Sequence, residues 1–268
     1  MSTTDPAPSV IPVIAGPVPA STPVNFRDLG GVRAQDGRVR DGLVFRSDDL
    51  ATATTDFVRS ACERHRIGHV IDLRSTVEAA ATGRGPFADR AVTGHAVSYH
   101  HVPLGEELVA GGPGRLPATA EDVAALYADM ADGAAASLAL VLTLLGATDR
   151  PAVFHCAAGK DRTGVLAALL LSAVGAEEEA VAKDYARTAA ALPGIAERVA
   201  HLMRPERGGV FAEAAAVRGP IMGAEAATMR AFLRVMAERH GSPLGGLRAA
   251  GLADDVVRRL RARLVQDA

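Results

Sequence analysis

The chain has no tryptophan, only three tyrosines and seven phenylalanines, and just two cysteines. An interior with so few large rings has to be filled by Ala, Val and Leu. That favours close-packed helices over a β-sandwich. Two cysteines do not make a disulfide framework. Cys62 reads as a small buried hydrophobe. The net charge is -2, with both signs mixed along the chain. No basic block marks a nucleic-acid or anionic-membrane surface, so any anion site must be local. A basic start followed by a long apolar run is missing, so no signal peptide is expected. The longest apolar stretch, around Val165–Ala173, is too short to span a bilayer. The expectation is a soluble, cytoplasmic protein, with export by an unrecognised route left open.

What is present suits one large α/β domain in 268 residues. Residues 1–23 hold six prolines among Ser, Thr and Ala. They read as a flexible arm, with a short edge strand expected at Val10–Ile14. Asn25–Gly31 reads as a turn opening a hairpin. Strands are expected at Gly42–Ser47, His69–Arg74, Val97–Leu104 and Ala152–His155, the last one buried. Helices are expected at Thr55–Arg66, closed by Gly68, and over Glu121–Leu145 with a break at Gly133. A further helix, Thr163–Val174, is apolar nearly all round. Residues 105–118, rich in Gly and Pro, read as a mobile loop. Met229, Phe232, Leu233 and Met236 share one helix face, as do Val256, Leu260 and Leu264. Alternating strands and helices predict an α/β fold, with a central, mostly parallel sheet flanked by helices.

The chemistry is concentrated in His155-Cys156-Ala157-Ala158-Gly159-Lys160-Asp161-Arg162-Thr163-Gly164, between a strand and a helix. A helix N-terminus offers unpaired N–H groups and the positive end of its dipole. A tight loop feeding it adds more inward N–H groups, forming an anion nest from Ala157, Ala158, Gly159, Lys160, Asp161, Arg162 and Thr163. The donors that would bind phosphate also stabilise a Cys156 thiolate as nucleophile. Arg162 follows six positions later, and its planar fork can take two phosphate oxygens. Thr163 can hydrogen-bond the departing sulfur, and His155 supports the loop rather than acting as a base. A bare Cys-x5-Arg occurs by chance. A Cys-x5-Arg flanked by His, Gly, Lys and Thr-Gly, between such elements, is far more specific.

This run resembles the phosphate loop of the protein tyrosine phosphatase superfamily. The Lys160-Asp161 pair is similar to that of bacterial tyrosine/serine phosphatases of the mycobacterial phosphatase B type. Asn25–Gly31, Arg46–Leu50 and Ile71–Ser75 also match that family, so the resemblance spans about residues 25–175. It implies a metal-independent, cofactor-free phosphomonoesterase acting on phosphorylated protein or phosphoinositide through a phosphocysteine. It places the general acid inside the loop, at Asp161. The Trp-Pro-Asp loop of many relatives is absent. A neighbouring phosphate dianion would keep an aspartic acid protonated. Glu106 or Glu107 on the mobile loop stays an alternative acid. The resemblance suggests that Lys160 meets extra phosphates on a ring, and the plainer reading is that it only raises the local positive potential. Helices over about 176–240 are expected to form a lid within one phosphatase domain, 24–268.

Weaker features have plainer readings. The Asn25–Gly31 motif either lines the site or, in the plainer reading, has Asn25 and Asp28 fix turns, and Arg27 pairs with a carboxylate near the loop. Asp72 and Arg74 either reach the site rim or form a buried ion pair. His100 and His101 point to opposite faces of a strand and make no metal site. Glu177–Glu179 is a solvated helix start. Two competing functions remain: a catalytically silent phosphate-binding module, and a sulfur-transfer or arsenate-reducing enzyme. The second would need Cys62 as its partner thiol.

Overall fold

The computed structural model describes residues 19–35, 37–105, 117–199 and 219–267. The expected strand at Val10–Ile14, most of the 105–118 loop with Glu106 and Glu107, and residues 200–218 of the expected lid lie outside them.

Five strands form the main sheet: β1 (Arg27–Asp28), β4 (Val44–Ser47), β5 (His69–Asp72), β6 (Ser98–His101) and β7 (Ala152–His155). Their order is β1-β4-β7-β5-β6. β1 runs antiparallel to β4 and the other pairs are parallel. β4 and β7 are buried along their whole length, as parallel strands covered on both faces are. Successive side chains of these strands serve opposite cores. Phe45, Val70 and Val153 pack with Leu50, Val58, Cys62 and Ile67. Val44, Ile71, Ala152 and Phe154 face the larger core. Cys62 is buried in the smaller of these cores.

The small core is closed by α1 (Thr55–His65). Thr54 caps that helix by accepting from Phe57 N. It ends at Arg66, held left-handed at φ 54°, two residues before the expected stop at Gly68. The large core is organised around α6 (Asp161–Ala173), whose residues from Thr163 to Leu171 are all buried. A helix apolar on every side can only sit inside.

Between them come α2 (Thr76–Thr82), α3 (Arg90–Thr93), α4 (Ala120–Gly133) and α5 (Ala135–Ala147). α4 and α5 meet at a 77° bend at Ala134, next to the expected break. Among the described residues no single helix is long and apolar enough to cross a membrane.

Further along are α7 (Glu178–Ala186), α8 (Leu192–Val199), α9 (Ala226–His240), α10 (Gly245–Ala249) and α11 (Asp254–Leu264). Val181 and Tyr185 of α7 and Met229, Phe232 and Met236 of α9 are buried in the large core. Glu177 precedes α7 as its cap residue, and Glu177–Glu179 are exposed. A second, antiparallel sheet joins β2 (Arg33–Ala34), β3 (Gly37–Val39) and β8 (Val265–Asp267). The sequence reading missed β8, because three residues are too few to show an alternation.

Register decides where the site lies. Ser47 and Asp72 both pair with His155, so β4, β5 and β7 end level. The loops leaving all three meet at their carboxyl ends, where open α/β sheets hold ligands.

Candidate active site

Cys156 follows β7 directly, is buried, and accepts a hydrogen bond from Gly159 N at 3.2 Å. The loop turns at Gly159, whose φ is +65°. A Cβ there would lie 2.5 Å from the Ser47 carbonyl, so only glycine fits. Lys160 O accepts from Gly164 N at 2.7 Å, which opens α6. The chain thus runs from nucleophile candidate to helix N-terminus in five residues, as the spacing predicts.

Partners far away in sequence hold the loop backbone. The Gly159 carbonyl accepts from Asn25 Nδ2 at 3.0 Å and from Arg46 Nη2 at 2.9 Å. Of the two readings of Asn25, lining the site or fixing a turn, its amide fits the first, since it reaches the loop that carries Cys156. Asp28 does fix the turn, accepting from Gly30 N and Gly42 N. Arg46 also donates to Asp184 Oδ2 at 2.6 Å, and Arg27 to Asp184 Oδ1 at 2.9 Å. So Arg27 does pair with a carboxylate near the loop. Burial alone would raise the Asp184 pKa, but Arg46 and Arg27 outweigh it and hold it below the usual range. Ala157 O accepts from Asp49 N at 3.1 Å.

Behind the loop, Asp72 and Arg74 form a buried ion pair at 2.6 Å, not rim residues. Tyr99 donates to Asp72 at 2.7 Å. Burial would raise the Asp72 pKa, but His155 and Arg74 pull it well below the carboxylate range. His155 Nδ1 lies 3.4 Å from Leu50 N and 3.3 Å from Cys156 O. Burial lowers the His155 pKa, and Asp72 pulls against it. His100 and His101 do face apart: one meets His69, the other the Arg74 carbonyl. Among the described residues no His, Cys, Asp or Glu cluster suits a metal ion.

Three side chains at the mouth have their own partners. Arg162 grips Glu78 with both terminal nitrogens, Nη1 to Oε2 and Nη2 to Oε1 at 2.8 Å. Burial works against this guanidinium, and the Glu78 bonds more than offset it, so its pKa sits above the ordinary value. Glu78 comes from α2, where it also closes a capping box with Ser75. Asp161 Oδ1 accepts from Tyr127 and lies 3.1 Å from Lys160 Nζ. Lys160 donates to the carbonyls of Ile221 and Gly223. Neither reading of Lys160 anticipates that it is buried against a turn. Thr163 Oγ1 is buried without a hydrogen-bond partner among the described residues.

Sequence reasoning missed Glu78, Tyr127 and Asp184. The Ser75-x-x-Glu78 capping-box pattern was a visible signal for a helix start at α2. Nothing local marks Tyr127 or Asp184.

A cysteine sulfur facing a loop amide, with an arginine in the first turn of the helix that follows, is the arrangement the run His155–Gly164 predicts. Residues 18–266 match the tyrosine phosphatase family, and the chain belongs to that family of phosphoric monoester hydrolases. It is 31% identical to the triple specificity protein phosphatase PtpB of Mycobacterium tuberculosis, over 90% of this chain and 96% of that protein. A tyrosine-protein phosphatase of Nostoc commune is 30% identical over 44% of this chain and 40% of its own length. Among solved structures, TpbA of P. aeruginosa superposes loosely, with a TM-score of 0.36 and 17% identity, covering 80% of this chain and 89% of that one.

Proposed function

We propose that the chain hydrolyses phosphomonoesters of proteins through a phosphocysteine on Cys156. The observation that carries this is the Cys156 sulfur, facing the Gly159 amide at the base of a loop that ends in Arg162. The Cys156 thiolate attacks phosphorus, and the P–O ester bond breaks. The leaving oxygen takes its proton from Asp161. Water then attacks the phosphocysteine and gives its proton to the Asp161 carboxylate, the S–P bond breaks, and inorganic phosphate leaves. Thr163 Oγ1, buried and unpartnered among the described residues, can donate to the departing sulfur. Loop N–H groups and the Arg162 fork stabilise the transferring group, so the chemistry needs neither metal nor cofactor.

Asp161 is preferred as the acid because it sits at the first turn of α6 and is only partly exposed. Phosphotyrosine is the first substrate class in this proposal, with phosphoserine, phosphothreonine and phosphoinositides as extensions. For phosphoinositides, Lys160 would have to leave its turn carbonyls. Residues 24–268 form one domain in this reading, with α7, α8 and α9 as the described part of its lid. The cytoplasm, where thiols stay reduced, is the compartment that suits Cys156. Cys156→Ser should lower hydrolysis of p-nitrophenyl phosphate in EDTA by at least about 10³-fold. Unchanged turnover in that variant, or tight phosphopeptide binding with no turnover in the unaltered protein, would reject the proposal.

A further inference from the structure

We infer that Tyr127, backed by Tyr185, is the positioning residue for Asp161, and that it assigns Oδ2 as the oxygen that carries the transferred proton. This rests on the acid role proposed above. The two tyrosines come from α4 and α7 and are buried to 0% and 1% exposure. Buried hydroxyls must find partners inside the protein. Tyr127 Oη donates to Asp161 Oδ1, and it lies 2.8 Å from Tyr185 Oη. Since Tyr127 spends its single proton on the carboxylate, Tyr185 must donate to Tyr127. The order is Tyr185 to Tyr127 to Asp161, each bond polarising the next.

The packing around this chain is specific. The tyrosine rings meet edge to face at 6.2 Å, and Phe232 braces Tyr127 at 6.4 Å. Tyr185 rests on α6 at Gly164, where a Cβ would lie 2.9 Å from Tyr185 Cδ2. The glycine after Thr163 thus seats the ring that backs the hydroxyl that holds Asp161. Burial pushes both phenols above their ordinary pKa values, so they remain neutral donors.

Tyr127 Oη donates to Asp161 Oδ1, and the Lys160 ammonium lies 3.1 Å from the same oxygen. Among the described residues no hydrogen bond forms to Oδ2. A carboxylic acid whose Oδ1 already accepts one hydrogen bond and faces a cation places its proton on Oδ2. An aspartate that must give a proton in the first step and take one in the second then keeps one orientation throughout. Only the occupancy of Oδ2 changes.

The test compares Tyr127→Phe, Asp161→Asn and the double variant on p-nitrophenyl phosphate and on an alkyl phosphate. Phe keeps the ring in its apolar seat and removes only the hydroxyl. The expected loss in Tyr127→Phe is about tenfold to a hundredfold in kcat for the alkyl ester and under about threefold for the nitrophenyl ester. The double variant should be no slower than Asp161→Asn alone. Equal slowing of both esters by Tyr127→Phe, or additive losses in the double variant, would overturn the inference. If Asp161→Asn is itself indifferent to leaving group, the acid role fails and the inference with it. If only Tyr127→Phe is indifferent, the inference alone fails.

Discussion

The two sides of the phosphate loop are held by different kinds of partner. On the backbone side, Asn25 and Arg46 converge on the Gly159 carbonyl, and both are buried. Arg46 is in turn locked, with Arg27, onto Asp184. On the mouth side, Lys160, Asp161 and Arg162 meet turn carbonyls, Tyr127 and Glu78. The first set fixes where the N–H groups point and has no reason to change during turnover. The second holds the charged side chains that the proposed mechanism uses. Buried groups from distant positions hold the geometry of the nest, while turn carbonyls, a phenol and a carboxylate hold its side chains.

Four experiments would break or sharpen this contrast. Asp184→Ala should cost the most, about 3–5 kcal/mol in a urea titration, because it strands two buried guanidiniums. A loss under about 1 kcal/mol would mean that the backbone clamp is not structural. Gly159→Ala should follow, at roughly 1–3 kcal/mol, from its positive φ and the collision with Ser47, and should depress turnover as the nest deforms. Glu78→Gln keeps the shape but weakens the grip on Arg162. It should raise KM about tenfold, near 1.4 kcal/mol, with a smaller change in stability than Asp184→Ala. The smallest effect is the dependence on pH.

Burial would raise the Glu78 pKa, yet its Arg162 hydrogen bonds bring it below the ordinary value, as the arginines do for Asp184. A carboxylate with a depressed folded-state pKa adds stability above its unfolded pKa of about 4, and that stability is lost as pH falls further. The unaltered protein should therefore lose stability more steeply between about pH 4 and pH 2 than Asp184→Ala does. Parallel curves in acid denaturation would remove Asp184 from this account.

Much of the fold was legible because its signals are local. The run Ala152–His155, the apolar stretch after Thr163 and the stripe Met229, Phe232, Leu233, Met236 each announce a strand or helix by their own periodicity. The candidate site was legible for the same reason: Cys156 to Gly164 is one continuous run. Elements that draw their reason from elsewhere were not. β8 is three residues whose hydrogen bonds lie with β3, more than two hundred positions away. Asn25 looked like a turn residue because its acceptor, Gly159, lies 134 positions on.

By itself the sequence marked the candidate site: a cysteine, a short loop and an arginine in one continuous run between a strand and a helix. It did so because the loop closes on itself within one strand–helix step. The tertiary structure alone decided which groups hold that nest and its side chains. Glu78 on Arg162, Tyr127 on Asp161 and Asp184 on the two arginines are contacts across 84, 34 and 157 or 138 residues. No local pattern records them, because a buried charge or hydroxyl is satisfied by whatever the packing of distant elements brings within hydrogen-bond reach.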